Sequence, residues 1–462
     1  MDTRREIDSL GEKAVPKSAY YGIQTLRATE NFPVSGIKHP AVFTKAYVQV
    51  KKAAALANME VGWLDTKIGN ALVEACDEVL SGKLLDQFVI DVFQAGAGTS
   101  FNMNVNEVLA NRTLELLGKE KGDYKSVSPN DQANMAQSTN DTFPTALHVS
   151  VLTALQPLLR ELQSLSDSFE KLGVKYADVV KSGRTHLQDA LPVTVGQEFG
   201  AYASALRNAL GQLQERQKGL FKVALGATAT GTGANAHPRY KRIVVAKLRE
   251  MSKLPLTPAK DPFEALQSCR PTQAVSSGLK ELALELIRIA NDLRLLASGP
   301  TTGLAEFELP SVQPGSSIMP GKVNPVMAEC LDMVAFQVVG NDLAVSFAVQ
   351  AGQMELNVMT PVIMHNVLFS IQLLTNYLPV FRKKCVEGIR VDEKRCSNYL
   401  DKNPSLATFL SPKIGYLEAA KIAKQALEQN RSVKEVALEK GLLTAEELER
   451  LLDPKRLLSE KR

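Results

Sequence analysis

Long apolar segments with helical periodicity constrain this sequence more than any other feature. From Pro144 to Lys171, large aliphatic residues recur at three- and four-residue steps, and from Leu279 to Leu296 a similar stripe is continuous. Met327 to Leu356 carries few charges and no proline. Helices that are apolar over much of their circumference are buried on several sides, and such lengths reach roughly 40 Å at 1.5 Å per residue. We therefore predict a mainly α protein with an elongated bundle of long helices, through which the chain assembles. The two stripes consist of Leu147, Val151, Leu155, Leu158, Leu159, Leu162 and Leu165, and of Leu282, Leu286, Ile289, Leu293 and Leu296.

The charge and cysteine content exclude several classes of protein. The 54 Lys and Arg residues exceed the 50 Asp and Glu residues by only four, and they are scattered, which gives no support for nucleic-acid or membrane-surface binding. The five cysteines are far apart and form no C-x-x-C pair, which argues against a zinc site or a disulfide scaffold. We expect reduced thiols in a cytoplasmic protein without a bound metal. The charged start, Met1 to Glu6, does not resemble a secretory signal, and Glu329, Asp332 and Asp342 make Met327 to Val349 a poor membrane span.

Glycine-rich and polar stretches separate the apolar segments, and catalytic groups usually lie in such loops. They are Ala95 to Asn106, Ser128 to Asn140, Ser182 to Asp189, Gly226 to Pro238 and Pro314 to Pro325. From about Arg395 the pattern predicts short helices, with capping motifs at Ser432 to Glu435 and at Thr444 to Glu447. We predict three domains: residues 1–139, mostly helical; residues 140–394, the long-helix bundle; and residues 395–462, small and helical.

Two glycine motifs resemble nucleotide-binding loops but lack the required context. Gly231 to Ala236 matches G-x-G-x-x-A, yet a charged, helix-like segment precedes it where a dinucleotide site needs a strand. We interpret it as a turn between helices. In Gly315 to Lys322 the glycine spacing is too long for a phosphate loop, and Val323 replaces the required hydroxyl residue.

The stretch Gly315 to Asn324 instead has the composition of a loop that closes over a ligand. It combines glycines, two hydroxyls, a cation and an amide. Ala97 to Ser100, Gln137 to Asn140 and Gly183 to His186 add small hydrogen-bonding groups of the kind that hold carboxylates. Each of these alone could be a helix cap, since Ser, Thr and Asn are the usual capping residues. Caps explain the joint pattern less well than a dicarboxylate site does.

The stretch Gly315 to Asn324 resembles the G-S-x-x-M-P-x-K-x-N motif of the aspartase/fumarase superfamily. The resemblance covers nearly the whole chain. Further matching segments, in order, are Tyr20 to Thr25, Gly96 to Asn104, Gln137 to Asp141 and Gly183 to Asp189. It implies a similar three-domain fold and a homotetramer whose central helices form a twenty-helix core, with each active site built from three subunits. It also implies no cofactor and no metal.

The resemblance assigns roles to individual residues. Ser316 resembles the family's general base, which removes a β-proton beside a carboxylate and so creates an aci-carboxylate. Donors and a cation must face that group, and Lys322 and Asn324 resemble the residues that do so. The remaining expected substrate-binding residues are Thr99, Ser138, Thr139, Asn140, Thr185, His186 and Ser317, of which Asn140 and His186 would lie near the amino group. His186 would pair with Glu329, and a structural role for His186 stays the alternative.

Small differences separate the branches of the superfamily. Gly96 to Ser100 and Ser138 to Asn140 resemble the ammonia-lyase forms, whereas Phe143 to Ala146, His237-Pro238 and Met364 to Asn366 are similar to fumarases. The first pair lies nearer the expected chemistry, and we therefore expect elimination of ammonia from L-aspartate, with malate dehydration as the alternative. A structural protein on a retired lyase scaffold is disfavoured, because Ser316, Lys322, Asn324, Thr185 and His186 are all present.

Overall fold

The computed structural model describes residues 2–453 and 458, and these residues are mainly helical, which confirms the predicted fold class. The α-helices are α1 (Ile23–Asn31), α2 (Ala41–Glu60), α3 (Thr66–Leu80), α4 (Thr99–Leu116), α5 (Thr139–Lys175), α6 (Val195–Arg216), α7 (Tyr240–Ser252), α8 (Pro262–Gln267), α9 (Arg270–Leu296), α10 (Val326–Gln350), α11 (Thr360–Lys384), α12 (Glu393–Asp401), α13 (Ser411–Ile414), α14 (Tyr416–Gln429), α15 (Val433–Glu439) and α16 (Ala445–Leu451).

The strands are short and pair two by two. They are β1 (Thr3–Asp8) with β2 (Gly11–Pro16), β3 (Val180–Thr185) with β4 (Gln188–Thr194), β5 (Lys222–Val223) with β6 (Thr257–Pro258), and β7 (Phe307–Glu308) with β8 (Arg390–Val391). The β5–β6 pair is parallel and the other pairs are antiparallel.

The chain divides into two compact units. The first comprises Met1–Leu159, Gly211–Ala283 and Phe336–Thr375, and the second comprises Arg160–Leu210, Leu284–Ala335 and Asn376–Arg462. The three domains expected from the sequence have boundaries that differ from those of these two units. The three-domain division stays a prediction.

The first unit has an aromatic centre. The rings of His39, Phe43, Tyr47, Phe101 and Phe143 lie 4.0 to 6.0 Å apart, centroid to centroid, in the pairs that contact. His39 lies two residues before α2, Phe43 and Tyr47 lie in the first half of α2, and Phe101 and Phe143 lie near the starts of α4 and α5. The packing therefore fixes the N-termini of α4 and α5 against each other.

In the second unit, the ring of Phe199 on α6 stacks on Phe307 of β7 with centroids 5.2 Å apart. The short helices after Glu393 have an apolar core of their own, made of Leu400, Leu406, Leu410, Ile422, Val436 and Leu448 among others. Both sequence-predicted capping motifs are present: Ser432 and Glu435 bond reciprocally at the start of α15, and Thr444 and Glu447 do so at the start of α16.

The long helices confirm the apolar stripes. Every stripe residue named for α5 and α9 is buried. The predicted helix from Met327 to Leu356 ends earlier, at Gln350. The side-chain amide of Asn357 donates to the main-chain oxygens of Ala348 and Val349, both at 3.1 Å, and so satisfies the end of α10 where the periodicity alone gave no stop signal.

Two expected loops are in fact regular structure. Ala95 to Asn106 was expected to be a break, but α4 begins at Thr99, and the polar side chains of Asn102, Asn104 and Asn106 are buried in that helix. Asn104, for example, accepts from the amide of Val89 at 3.0 Å and donates to the oxygen of Gln87 at 3.0 Å. Ser182 to Asp189 lies in the β3–β4 hairpin, whose register shifts between Ser182 and Arg184.

The remaining expectations concern Gly226 to Pro238 and the membrane. Gly231 to Ala236 lies in turns before α7, as predicted, and β5 before it is only a two-residue strand.

Among the described residues, α10 is the one helix long and apolar enough to cross a membrane, and 39% of its most apolar window is buried. A single helix of this kind is weak evidence for a membrane span, because core helices of soluble proteins meet the same criterion.

Candidate active site

The loop Gly315 to Asn324 is closed at its base by two hydrogen bonds. The amide of Gly315 donates to the oxygen of Lys322 at 2.9 Å, and Asn324 Nδ2 donates to the oxygen of Gly315 at 2.7 Å. A Cβ on Gly315 would lie 2.2 Å from the Lys322 oxygen, so only glycine allows this approach. The loop therefore holds Lys322 and Asn324 beside the start of the segment that carries Ser316.

Ser316 lies inside this loop with its hydroxyl oxygen facing two main-chain donors. Ser316 Oγ accepts from the amide of Ile318 at 3.2 Å and from the amide of Met319 at 3.0 Å. Two N–H dipoles aimed at one oxygen favour a negative charge on it. Ser316 is half-buried and Ser317 is exposed.

A cleft of about 1050 Å³ in the second unit borders the loop. Its charged lining residues are Arg294, Glu308, Lys322, Arg390, Asp392 and Arg395. The three arginines form ion pairs, Arg294 with Asp332 at 2.9 Å, Arg395 with Asp392 at 3.7 Å, and Arg390 with Glu308. Lys322 has no carboxylate partner among the described residues. It is thus the cation of this cleft that is available to an anionic ligand.

Thr185 and His186 lie at the tip of the β3–β4 hairpin and are exposed. The two turn residues, His186 and Leu187, have φ of 55° and 61°, which is unusual for side chains other than glycine. Positive φ at both central residues is what a type I′ turn of a two-residue hairpin requires.

The hairpin is anchored by a buried ion-pair network. Glu306 is fully buried and receives both Arg184, at 2.9 and 3.1 Å, and Lys181, at 2.6 Å. Lys181 also contacts Glu198 at 3.0 Å. Because Arg184 directly precedes Thr185, this network fixes the base of the hairpin tip.

Glu329 lies in the first turn of α10 and is half-buried. Within one chain, no hydrogen bond or ion pair joins it to His186 in the described part of the sequence. Their pairing stays a prediction, and in the expected tetramer the two residues would come from different subunits.

In the first unit, Thr99 begins α4. The preceding residues Ala97 and Gly98 have φ of 56° and 93°, and a Cβ on Gly98 would lie 2.1 Å from the ring of Phe143. Thr99 is exposed, and its hydroxyl donates to the oxygen of Gly96 at 2.6 Å. The glycine thus brings the positive end of α4 close to the start of α5.

Ser138, Thr139 and Asn140 form the turn that opens α5. Ser138 Oγ accepts from the amide of Asn140 at 3.1 Å, which is the cap geometry considered from the sequence. Asn140 Nδ2 donates to the oxygen of Ala229 at 2.7 Å. A serine hydroxyl that accepts a capping hydrogen bond still has a proton to donate, so a cap and a carboxylate contact are compatible.

Asp141 stabilises this turn through hydrogen bonds to main-chain amides. It was not among the site residues predicted from the sequence. Its carboxylate accepts from the amides of Ser138 at 3.0 Å, Gly226 at 2.9 Å and Thr228 at 3.0 Å. Burial raises the pKa of Asp141 to about 6. The capping-type spacing from Ser138 to Asp141 was the available signal, since an acidic residue at the third helical position bonds back to the cap.

The described contacts thus form two groups. Thr99, Ser138, Thr139 and Asn140 belong to the first unit, at two helix N-termini, where positive potential favours anions. Thr185, His186, Ser316, Ser317, Lys322, Asn324 and Glu329 belong to the second unit. The cavity that Thr139 and Asn140 line in the first unit holds about 10 Å³, enough for no more than one water. Among residues 2–453 and 458, no three His, Cys, Asp or Glu side chains are grouped so as to hold a metal ion.

Known proteins match the chain over nearly its whole length. The sequence profile described as Lyase matches residues 11–340, and that described as Fumarase C C-terminus matches residues 406–459. An aspartate ammonia-lyase of Bacillus sp is 50% identical over 98% of this chain and 97% of its own length.

Two solved structures have the same fold. The crystal structure of a fumarate lyase:delta crystallin from Brucella melitensis bound to cobalt superposes with a TM-score of 0.96, at 47% identity, over 99% of this chain and 100% of that one. A class II fumarase from Schistosoma mansoni gives a TM-score of 0.95 at 36% identity, over 98% of each chain. The chain belongs to this lyase family, the aspartase/fumarase superfamily.

Proposed function

We propose that this protein is an aspartate ammonia-lyase, which converts L-aspartate reversibly to fumarate and ammonia. The observation that carries the proposal is the environment of Ser316, whose Oγ accepts two main-chain hydrogen bonds from Ile318 and Met319. A serine acts as a base only when its alkoxide is stabilised, and these donors lower the cost of that charge. The similarity to aspartate ammonia-lyases at 45–50% identity over nearly the full length supports ammonia as the leaving group.

The proposed steps use side chains of the chain itself. Ser316 removes a proton from the β-carbon of aspartate, and the electron pair moves into the adjacent carboxylate to give the aci-carboxylate. Lys322, without a carboxylate partner among the described residues, and the second N–H of Asn324 face that carboxylate. The carbon–nitrogen bond then breaks, the aci-carboxylate reverts to a carboxylate, and fumarate and ammonia leave.

The other substrate groups are assigned to the two helix N-termini and the hairpin. Thr99, Ser138, Thr139 and Thr185 bind the second carboxylate, while Asn140 and His186 face the amino group and Ser317 contacts the substrate from the loop. Glu329 pairs with His186 of another subunit. Neutral donors at helix N-termini suit this task because the helix dipoles add positive potential without a competing side-chain ion pair.

We further propose a cytoplasmic homotetramer in which three subunits build each active site. The supporting feature is one face of α10, where Met333, Phe336, Leu343 and Phe347 are 57–65% exposed. These residues follow helical spacing, and Gly340 on the same face has no atom within 4 Å of its would-be Cβ. Contiguous exposed apolar faces mark association surfaces. The five free cysteines support a reducing compartment.

The test follows fumarate absorbance when purified protein receives L-aspartate or, separately, L-malate. We expect fumarate from aspartate only, and a kcat for Ser316→Ala lower by ~10² to 10⁴-fold, the usual contribution of a general base. Gln313→Ala, at an exposed position two residues before the loop, is the matched control and should retain full activity. Product from malate instead would make the protein a fumarase, and dicarboxylate binding without any turnover would make it a non-catalytic member of the family.

A further inference from the structure

Lys51 carries a buried amine that the proposed mechanism does not use. It lies in the middle of α2 with its side chain fully inaccessible. Its ammonium donates to Asn134 Oδ1 at 2.9 Å and forms no ion pair with a carboxylate among the described residues. Taking a charge out of water costs several kcal/mol. A lysine in such a place therefore points to a specific task for its donor group.

Asn134 links this lysine to the carboxylate-binding turn. Its Oδ1 also accepts from Asn102 Nδ2 and Asn106 Nδ2, both at 3.2 Å, so that three donors converge on one oxygen. Its own Nδ2 donates to the main-chain oxygen of Gln137 at 3.2 Å. Gln137 directly precedes Ser138, and the chain of hydrogen bonds from Lys51 thus ends one residue before the turn.

The segment just before the turn has no regular secondary structure to hold it. Asn134 to Ser138 lies between a single π-helical turn, Pro129–Ala133, and α5, and Ala136 has a φ of 59°. Side-chain amides supply the missing bonds. Asn58 Nδ2 donates to the oxygen of Met135 at 3.0 Å, and Gln137 Nε2 donates to the oxygens of Ala133 and Met135 at 3.1 Å.

The same network leaves three acceptors unused. Asn58 Oδ1, Asn106 Oδ1 and Gln137 Oε1 are buried without a hydrogen-bond partner within the described chain. The titratable groups that face Lys51 are Asp141, Cys76 and Tyr47. Burial lowers the pKa of Lys51 to about 7, and a neutral amine still donates to Asn134.

We propose that Lys51 is a positioning residue for the carboxylate-binding turn Ser138 to Asn140, on which it acts through Asn134. This rests on the proposed function, in which that turn binds a substrate carboxylate. Within the described residues, the hydrogen bond of Lys51 goes to Asn134 and none joins Lys51 to the turn itself. Its effect is on the orientation of the donors that receive the substrate, so it changes substrate binding more than the chemical step.

The experiment compares Lys51→Met with Lys51→Gln in the intact protein. Met keeps the length and removes the donor, whereas Gln keeps an N–H donor for Asn134. We expect Lys51→Met to raise both the KM for aspartate and the Kd for succinate, an unreactive dicarboxylate, by roughly 10-fold, the upper range for one lost hydrogen bond. Its kcat should fall by less than about threefold. Lys51→Gln should recover most of the binding.

The neighbouring Lys52→Met is the matched control. Lys52 Nζ pairs with Asp77 at 2.5 Å near the surface, and its loss should leave KM and Kd unchanged. A folded Lys51→Met protein with the KM and Kd of the wild type would overturn the proposal. If that variant does not fold, the KM and Kd of Asn134→Ala provide the test, because this substitution removes the residue that links Lys51 to the turn and leaves Lys51 in place. Wild-type protein that binds succinate but does not consume aspartate would instead contradict the proposed function.

Discussion

The side-chain amide of Asn324 donates to the main-chain oxygen of Gly315 at 2.7 Å, across nine positions of the chain. Together with the hydrogen bond from Gly315 to Lys322, it gives the Ser316 loop a defined base. Asn324 spends one N–H on this contact and has a second one for a ligand. The loop is therefore organised before any substrate arrives, which reduces the cost of ordering it during the reaction.

Gly315→Ala tests whether this base matters for activity. The added Cβ would lie 2.2 Å from the Lys322 oxygen, so the backbone of the loop has to shift. A displacement near 1 Å at a catalytic group costs up to ~10²-fold in rate. We expect kcat/KM to fall by roughly 10 to 100-fold with little change in the urea midpoint. Gly211→Ala, a helical position with nothing within 4 Å, is the control, and an equal loss there would contradict the argument.

Glu306→Gln tests the network that anchors the hairpin. The substitution leaves the buried Lys181 and the partly buried Arg184 without their shared carboxylate, and breaking a buried pair costs about 3 kcal/mol or more. We expect a large fall in the free energy of unfolding, measured with urea, and lower activity because Thr185 and His186 lose their support.

Glu308→Gln supplies the matched comparison two positions away. Glu308 pairs with Arg390 at the surface, with both side chains more than 60% exposed. Exposed pairs contribute about 0 to 1 kcal/mol. Equal destabilisation by the two substitutions would show that burial does not set the value of the Glu306 network.

The buried ring of His39 should make the free energy of unfolding depend on pH. Burial lowers its pKa from 6.5 to about 3, and the neutral ring donates to Ile90 O at 3.2 Å and accepts from Gln94 Nε2 at 3.3 Å. Gln94 Oε1 accepts from the amide of Phe101, which fixes the amide orientation. Below pH 6.5 the histidine is protonated in the unfolded chain but stays neutral in the folded chain. The contribution of His39 to the free energy of unfolding is therefore fully present above pH 6.5 and falls as the pH decreases towards 3.

The expected slope from this histidine approaches 1.4 kcal/mol per pH unit below 6.5. Urea midpoints from pH 7.5 to pH 5 measure it. His39→Gln should reduce the slope without removing it, because burial also lowers the pKa of His148, to about 4. The variant also lowers stability at neutral pH. An unchanged slope in His39→Gln would mean that other groups produce the pH dependence.

Phe347→Glu tests the proposed assembly through α10. Phe347 is exposed on the apolar face. A charge there should change the stability of a single chain little, whereas burying the charge in a subunit interface costs several kcal/mol. We expect light scattering after gel filtration to show dissociation of the tetramer and activity to be lost with it. Lys421→Glu on α14, an exposed position, is the control and should stay assembled. A tetrameric, active Phe347→Glu protein would place the interface elsewhere.

Much of the fold followed from local pattern. The leucine stripes of α5 and α9 repeat within one helix, so their burial could be read from the spacing of Leu147 to Leu165 and Leu282 to Leu296. The family could be recognised from Gly315 to Asn324 and its companion segments, and the comparisons confirm it. The roles assigned to Ser316, Lys322, His186 and the other site residues stay predictions until the variants are measured.

Patterns failed where polar residues were buried by distant partners. Asn102, Asn104 and Asn106 suggested a loop but lie inside α4, because their amides bond to segments elsewhere in the chain. The β3–β4 hairpin was missed because a bulge at Gly183, where a Cβ would lie 2.5 Å from Leu191 O, interrupts the alternation that identifies strands.

The sequence by itself determined the helical fold class, the family and the short list of chemical groups, because these depend on the order and spacing of residues. Only the tertiary structure showed that two amides face Ser316 Oγ, that Asp141 supports the turn at Ser138, and that Asn134 bonds both to Lys51 and to Gln137 beside that turn. Hydrogen bonds between residues far apart in sequence carry no local signature, since any polar residue can be satisfied by a partner that folding brings to it.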